Sequence, residues 1–299
     1  MVKLWNGEEV RWRLALQAGG KKGTLELGDE PRELRASLGE TEALTSEDLR
    51  RIAAKAALQV KKLGGGSVLL DAAPAAEALG DEGLAALIQG FELALYQQEN
   101  WKQERKEEEC PDLYLSGAEG AGAGRVLAET TALDRWICFA RDLVNRPGNK
   151  LTPAMLAEAV TGAVGELPVE AQVLDEKETR ALGMEAFHAV GDSSANPPRL
   201  IVLRYRGGKE GDAPIVLVGK GVCFDSGGYS LKSSMRGMKG DMAGGASVAA
   251  AILALAENRA PVNVTAVIPA VENRISPASF LPDDVIGSMS GKTIEIGST

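Results

Sequence analysis

The 299-residue chain has a single histidine, His188. A serine or cysteine hydrolase with a histidine base would have to use this residue, and an HExxH zinc site requires two histidines. His188 lies in the apolar segment MEAFHAVG, which is typical of a packed strand or turn and not of a catalytic base. The scarcity of histidine therefore predicts that carboxylates and lysines carry whatever chemistry the chain performs.

Cysteine is nearly as scarce, with Cys110, Cys138 and Cys223 and no CxxC pair. Cysteines so few and unpatterned argue against a disulfide framework and favour a reducing compartment, so the cytoplasm is the expected location. Cys223 stands beside Phe224 in a short apolar run. We interpret it as a small buried hydrophobic side chain.

Long apolar runs and an excess of positive charge are also missing. The amino terminus MVKLWNGEEVRW has no signal-peptide core, and no stretch approaches the roughly 18 apolar residues that a membrane helix needs. The net charge is -9 and the pI is near 5.0, which works against binding to a phosphate backbone. The most charged segment, Lys102–Glu109, mixes both signs and predicts a solvated helix end. We expect neither a membrane nor a nucleic-acid partner.

Short apolar runs alternate with amphipathic segments, and 44% of the residues are hydrophobic, which predicts an α/β protein. In the first third, Thr45 has capping-box spacing and predicts a helix to about Leu63, which three glycines then end. Two buried strands are predicted at SVLLD and DLYL, with a second helix between them over about 81–98. These elements predict a small αβ domain at residues 1–118.

The segment SGAEGAGAG, residues 116–124, is rich in glycine and alanine and precedes a helical stretch that ends near Asn145. No GxGxxG register fits its glycines, which argues against a dinucleotide site. We expect a hinge or close packing there, and a linking helix over residues 119–150.

A second domain is predicted at residues 151–299, opening with Thr152-Pro153 as a helix start. The near-continuous apolar character of its strands indicates a largely parallel sheet that is buried on both sides. These strands are predicted at 169–174, 199–205, 214–220 and 262–268.

The densest motif is GKGVCFDSGGYSLKSSMRGMKGDMAGGA, Gly219–Ala246, which directly follows the apolar run PIVLV. Active sites in open α/β sheets collect where strands end. A phosphate-binding loop does not fit, because Lys220 is followed by glycine and not by serine or threonine. Ser226 in FDSGG does not match GxSxG and lacks a plausible histidine base.

Four charged side chains fall in this motif: Lys220, Asp225, Lys232 and Asp241. Carboxylate oxygens suit hard or borderline divalent cations, and one carboxylate can bridge two of them. A lysine joins such a site only as the neutral amine, which burial and a neighbouring positive charge favour. On the residues alone, the cluster is either a two-metal centre or a structural group of ion pairs.

GKGVCFDSGGYSLK and MKGDMAGGA closely resemble the signature of the leucyl aminopeptidase (cytosol aminopeptidase) family, and Cys223 with Tyr229 is similar to its peptidase B branch. The resemblance continues upstream through RDLVNRPGNKLTP and SANPPRLIVLRYRG, and downstream through ENRISPASFLPDDVIGSMSGKTIEIGST. It covers the second domain throughout and the first domain only loosely.

This resemblance implies that Asp225 bridges two divalent metal ions, Mn or Zn. Lys220 and Asp241 would be ligands of one ion, and Lys232 would stabilise the oxyanion of the tetrahedral state. The implied reaction releases amino-terminal, leucine-like residues from peptide substrates through a metal-bridging hydroxide. A macro-like first domain and a homo-hexamer are implied as well.

In the family pattern, the segment after SGKTIEI reads N-T-D-A-E-G-R, whereas this sequence ends at Gly297-Ser298-Thr299. Further aspartate and glutamate ligands, and the arginine that holds a bicarbonate base, follow that point in the pattern. We therefore expect an incomplete metal centre and little or no peptidase activity from these 299 residues. Three interpretations stay open: a piece of an aminopeptidase, a non-catalytic binding or assembly subunit related to one, or a cofactor-binding αβ protein unrelated to peptidases, against which the lack of a fitting phosphate loop argues.

Overall fold

The computed structural model describes residues 1–102, 109–118 and 122–299, which divide into two compact units, Met1–Cys138 and Phe139–Thr299. The boundary falls within helix α3 (Ala123–Asn145), which ends where the sequence predicted a helical stretch to end. Most of the charged segment Lys102–Glu109 and the centre of the glycine-rich segment lie outside the described residues. The solvated helix end, the hinge and the three-part division at 118 and 150 therefore stay predictions.

The first unit is an αβ domain, as predicted. Its strands and helices before α3 are β1 (Val2–Leu4), β2 (Trp12–Ala18), β3 (Leu25–Leu27), β4 (Glu33–Gly39), α1 (Ser46–Lys62), β5 (Ser67–Asp71), α2 (Ala73–Ala94) and β6 (Asp112–Ser116). The six strands form one sheet in the order β1-β6-β5-β2-β4-β3. All pairings are parallel except that of the short strand β3 with β4.

The two helices of this unit differ in how closely they follow the prediction. Helix α1 begins at the predicted capping box, in which Thr45 Oγ1 accepts the backbone N–H of Asp48 and the Asp48 carboxylate accepts the backbone N–H of Thr45. Helix α2 begins earlier than predicted, because a kinked turn precedes the expected start. Gly80, with φ of 57°, is the kink, and the predicted helix is the part that follows it.

The second unit holds the predicted second domain. Its elements are α4 (Pro153–Val164), β7 (Val169–Leu174), α5 (Glu176–Ala181), α6 (Glu185–Gly191), β8 (Arg199–Arg206), β9 (Ile215–Val218), β10 (Gly221–Asp225), α7 (Ala243–Glu257), β11 (Asn263–Asn273), β12 (Val285–Gly287) and β13 (Thr293–Glu295). The predicted helix start is confirmed, because the Thr152 side chain caps α4 and Pro153 is its first residue. All four predicted strands are present.

The main sheet of this unit is built around β11, the longest strand. On one side β11 pairs antiparallel with β8, which in turn pairs antiparallel with β7. On the other side it pairs in parallel with β9 along its first half and with β10 along its second half. PIVLV and GVCFD are therefore two parts of one edge strand, interrupted at Gly219-Lys220.

The α/β class is confirmed, and six of the nine strand pairings in the two large sheets are parallel. In the second unit alone, two pairings are parallel and two are antiparallel. Burial on both sides holds for β8 but not for β9, whose Ile215 and Val218 are 56% and 69% exposed. The reason is position, since β8 is flanked by two strands and β9 lies at the edge.

Helix α7 is a core helix of the second unit and packs against β11. The helical stretch Met238–Glu257, which includes α7, is long and apolar enough to cross a membrane by length and composition. This stretch was not predicted from the sequence. Half of its apolar window is buried inside the unit, and an apolar composition with such burial is that of a core helix.

Candidate metal centre

The charged cluster is built on the interruption between β9 and β10. The backbone N–H of Gly219 still donates to the carbonyl of Val267 on β11, at 3.0 Å. The carbonyl of Lys220, by contrast, turns to helix α7 and accepts the backbone N–H of Gly245 at 2.8 Å. The break in the strand therefore holds Lys220 against the first turn of α7. Asp241 lies just before this turn, as the C-cap of the 3₁₀ helix Met238–Gly240.

Glycines permit this close approach of strand and helix. A Cβ atom at Gly219 would lie 2.5 Å from the carbonyl oxygen of Gly244, and one at Gly245 would lie 2.7 Å from Cγ2 of Ile268. Both distances are shorter than real carbon contacts, and the first is to backbone. Alanine at either position would force strand and helix apart.

We expect Gly219→Ala to lower the free energy of unfolding by about 1–3 kcal/mol, because the backbone of α7 must move to admit a methyl group. Urea denaturation followed by circular dichroism measures this change. Gly162→Ala on α4 is the matched control, because no atom lies within 4 Å of its added Cβ. There alanine, the better helix former, should raise the free energy of unfolding by about 0.5–1 kcal/mol. Equal denaturation midpoints for Gly219→Ala and the parent would contradict the packing argument.

The structure brings the four predicted side chains together as two ion pairs. Nζ of Lys220 lies 3.0 Å from Oδ2 of Asp241, and Nζ of Lys232 lies 2.9 Å from Oδ2 of Asp225. Asp225 raises the pKa of Lys232, and the charge of Asp241 adds to this effect. The two pairs therefore lie within electrostatic reach of each other.

Asp225 is the most firmly held member. It ends β10 and is only 8% exposed. Its Oδ1 accepts the backbone N–H of Gly227 and the side-chain amide of Asn273, both at 2.9 Å, while Oδ2 faces Lys232. Burial alone would raise the pKa of Asp225, but Lys232, Gly227 and Asn273 together hold it below its ordinary value. Asp225 is therefore an ionised carboxylate at neutral pH.

Asn273 is the site residue that the sequence analysis missed. It ends β11, and because β10 and β11 are parallel, their carboxyl ends meet at one edge of the sheet. A polar residue closing an apolar strand was the available signal, although nothing in the sequence tells which two strands are neighbours. The parallel pairing of β10 with β11 makes Asn273 the residue opposite Asp225.

Two buried oxygens in this cluster have no hydrogen-bond partner among the described residues: Oδ1 of Asn273 and Oδ2 of Asp241. The Lys220 ammonium is near Asp241 Oδ2 in distance, but the contact does not have the geometry of a hydrogen bond. Unsatisfied oxygens beside ionised carboxylates favour a bound cation. The donor set of two carboxylates and an amine fits a divalent ion of the Mn or Zn type.

The lysines are more exposed than the sequence argument assumed. Their side chains are 59% exposed for Lys220 and 37% for Lys232, so burial does not favour the neutral amine at either position. The reason for this exposure is the open edge of the sheet, where the adjacent strand β9 is itself exposed. The role of Lys220 as a ligand stays a prediction.

Two further predictions concern single residues. Cys223 is fully buried and burial raises its pKa to about 12, so its interpretation as a small hydrophobic side chain is confirmed. His188 is buried as expected, but it lies on helix α6 and not in a strand or turn. The helix is short and apolar, so its period could not be recognised from the sequence.

The chain is similar to known proteins over most of its length. The profile of the cytosol aminopeptidase family, catalytic domain, matches residues 138–299, and that of the family's N-terminal domain matches residues 24–105. A probable cytosol aminopeptidase of Clostridium perfringens is 42% identical over 271 residues, which cover 88% of this chain and 55% of the relative. The chain thus spans about half the length of this relative.

Two solved structures have a similar fold. The bottromycin maturation enzyme BotP in complex with Mn has a TM-score of 0.83 and 28% identity, covering 96% of this chain and 65% of that one. A tomato leucine aminopeptidase mutant has a TM-score of 0.84 at 24% identity, covering 99% and 67%, and shows the common fold. Because the catalytic-domain profile alone matches more than half of its residues, the chain belongs to the cytosol aminopeptidase family.

Proposed function

We propose that this chain is part of a cytoplasmic, metal-dependent aminopeptidase that releases amino-terminal, leucine-like residues from peptides. The whole enzyme would assemble as a homo-hexamer. Family membership and the cluster at the β9–β10 interruption both support this function. The observation that carries the proposal is the Asp225 carboxylate. One of its oxygens is fixed by Gly227 and Asn273, and the other faces a lysine that a cation can replace.

Each residue of the cluster has a proposed task. Asp225, Lys220 and Asp241 would hold the divalent cations, Mn or Zn, with Asp225 as the ligand common to both and Lys220 and Asp241 as ligands of one. When bound, such cations activate water and polarise the scissile carbonyl. Lys232 would stabilise the negative charge that develops on the carbonyl oxygen of the substrate. The 37% exposure of its side chain is consistent with access to a peptide.

A non-catalytic binding or assembly subunit is the second candidate. The observation that favours it is that each carboxylate of the cluster is already neutralised by a lysine of the chain. An ion-paired cluster of this kind holds loop and helix together without any metal. The two candidates differ in whether metal binding produces turnover.

A fusion of the 299 residues to the remaining carboxyl-terminal part of the Clostridium perfringens relative tests the proposal. We expect the fusion to hydrolyse leucyl-p-nitroanilide with Mn²⁺ and to lose this activity on chelation, because the added part completes the set of ligands. The 299-residue chain alone should turn over little or no substrate, and the relative itself is the positive control. A folded fusion that binds Mn²⁺ without any turnover would favour the assembly subunit.

A further inference from the structure

A second cluster of metal-ligand side chains lies between helices α5 and α6, in the second unit. Glu176 opens α5, His188 lies on α6, and Asp192 directly follows α6. Each of the three offers one ligand atom, and these atoms all lie within 4.8 Å of one another. The cluster shares no residue with the candidate metal centre.

Hydrogen bonding around Thr179 favours one tautomer of the His188 imidazole. The Thr179 hydroxyl lies 2.8 Å from the carbonyl of Asp175 and 3.1 Å from that of Glu176, so it donates its one proton to a backbone carbonyl. The same oxygen lies 3.0 Å from Nε2 of His188 and must there act as an acceptor. When the imidazole is neutral, this arrangement places its hydrogen on Nε2 and leaves a lone pair on Nδ1.

This lone pair is the unusual feature. His188 is 4% exposed, and its Nδ1 has no hydrogen-bond partner among the described residues. Oδ1 of Asp192 lies 3.6 Å from it. Two electron-rich atoms thus face each other at a buried position, which is unfavourable unless a positive group lies between them.

Arg180 forms ion pairs with both carboxylates of the cluster. Its Nη2 lies 2.9 Å from Oε1 of Glu176 and 2.5 Å from Oδ1 of Asp192. These contacts raise the pKa of Arg180, Glu176 contributing first. No hydrogen bond from the guanidinium reaches Nδ1 of His188, which stays unsatisfied. The Arg180 side chain is 46% exposed, and exposed ion pairs of this kind contribute little, so it can swing into solvent.

A divalent cation would satisfy all three ligands at once. We propose that Glu176, His188 and Asp192 form a binding site for one divalent cation of the zinc class. When no ion is bound, the Arg180 guanidinium pairs with the two carboxylates in its place. Imidazole nitrogen with carboxylate oxygens is a common zinc ligand set, with water in the remaining position. The carboxylates are 42% and 33% exposed, which leaves a path for the ion. The Nε2–H to Thr179 bond matches the orienting bond that zinc-bound histidines make.

The single histidine makes the test direct, because every imidazole signal in the chain comes from His188. Zn²⁺ is titrated into the ¹⁵N-labelled 299-residue chain with Asp225→Asn and Asp241→Asn, which removes the carboxylates of the candidate metal centre. Imidazole ¹H–¹⁵N correlation spectra are recorded. We expect the Nδ1 signal to shift on binding while Nε2 keeps its hydrogen. His188→Gln and Asp192→Asn should each weaken this binding by about tenfold or more.

Arginine substitutions separate a specific site from general electrostatics. Arg180→Met should strengthen Zn²⁺ binding, because it removes the competing cation. Arg199→Met is the matched control, since Arg199 lines the same surface cavity but donates only to the carbonyls of Pro197 and Pro198 in the described structure. Equal effects of the two substitutions would overturn the proposal, as would imidazole signals that saturating Zn²⁺ leaves unchanged. If His188→Gln does not fold, Asp192→Asn decides alone, because its carboxylate is partly exposed.

Discussion

Asp225→Ala is expected to abolish stoichiometric metal binding at the candidate centre and to reduce the activity of the fusion to that of its chelated form. Both carboxylate oxygens of Asp225 are held in place, one by Gly227 and Asn273 and the other by Lys232. A carboxylate that bridges two ions cannot be lost without losing both, because neither remaining ligand spans the pair. Isothermal titration with Mn²⁺ measures the stoichiometry directly.

Asp225→Asn is the control that separates metal binding from folding. The amide oxygen of asparagine can still accept the backbone N–H of Gly227, whereas alanine leaves this buried donor unsatisfied. We expect the asparagine variant to be more stable than the alanine variant in urea and equally unable to bind the two ions. An alanine variant that bound both ions normally would show that Asp225 is not the bridge.

Lys232→Ala should leave metal binding and KM nearly unchanged in the fusion while kcat falls by about 10²- to 10³-fold. A donor that meets charge only in the transition state affects the rate without affecting ground-state binding, and removal of one such donor has this typical size. Steady-state kinetics on leucyl-p-nitroanilide, with titration of Mn²⁺ into the same variant, provide both quantities. Loss of a metal ion in Lys232→Ala, with normal binding in Asp225→Ala, would reverse the two assignments.

Without metal, Lys232→Ala has a second signature. Asp225 has a lowered pKa, so its pairing stabilises the fold above the unfolded pKa and is lost as pH falls through the folded value. Lys232 has a raised pKa, so its contribution is lost as pH rises through that value. The pair therefore stabilises the metal-free chain between about pH 4 and pH 10.5. The stability difference between parent and Lys232→Ala should shrink outside this window.

Features set by local chemistry were predictable from the sequence. The capping box at Thr45 and the cap and proline at Thr152-Pro153 follow from neighbouring residues alone, as do six of the strands, β5, β6, β7, β8, β9 and β11. The motif Gly219–Ala246 also predicted which charged residues meet, because its glycines and its place after an apolar strand mark a close approach of backbones. Their roles as ligands and donor stay predictions.

Features set by distant partners were not predictable. An apolar strand has the same composition whichever way its neighbours run, so the antiparallel pairings of β8 could not be read from its residues. Position in the sheet, which leaves β9 exposed, depends on strand order and not on local pattern. Asn273 belongs to the site only because β11 lies beside β10, and these strands are separated by nearly forty residues of chain.

The two lysine–aspartate pairs also bear on whether the chain can fold before it binds metal. In many metal proteins, ligands of like charge repel one another until the ion arrives, so folding waits for metal. Here Lys232 and Lys220 already sit against Asp225 and Asp241, so the neutralised cluster has no such requirement. Cations that bind here as proposed would therefore replace the lysines as partners of the carboxylates in a scaffold that has already folded.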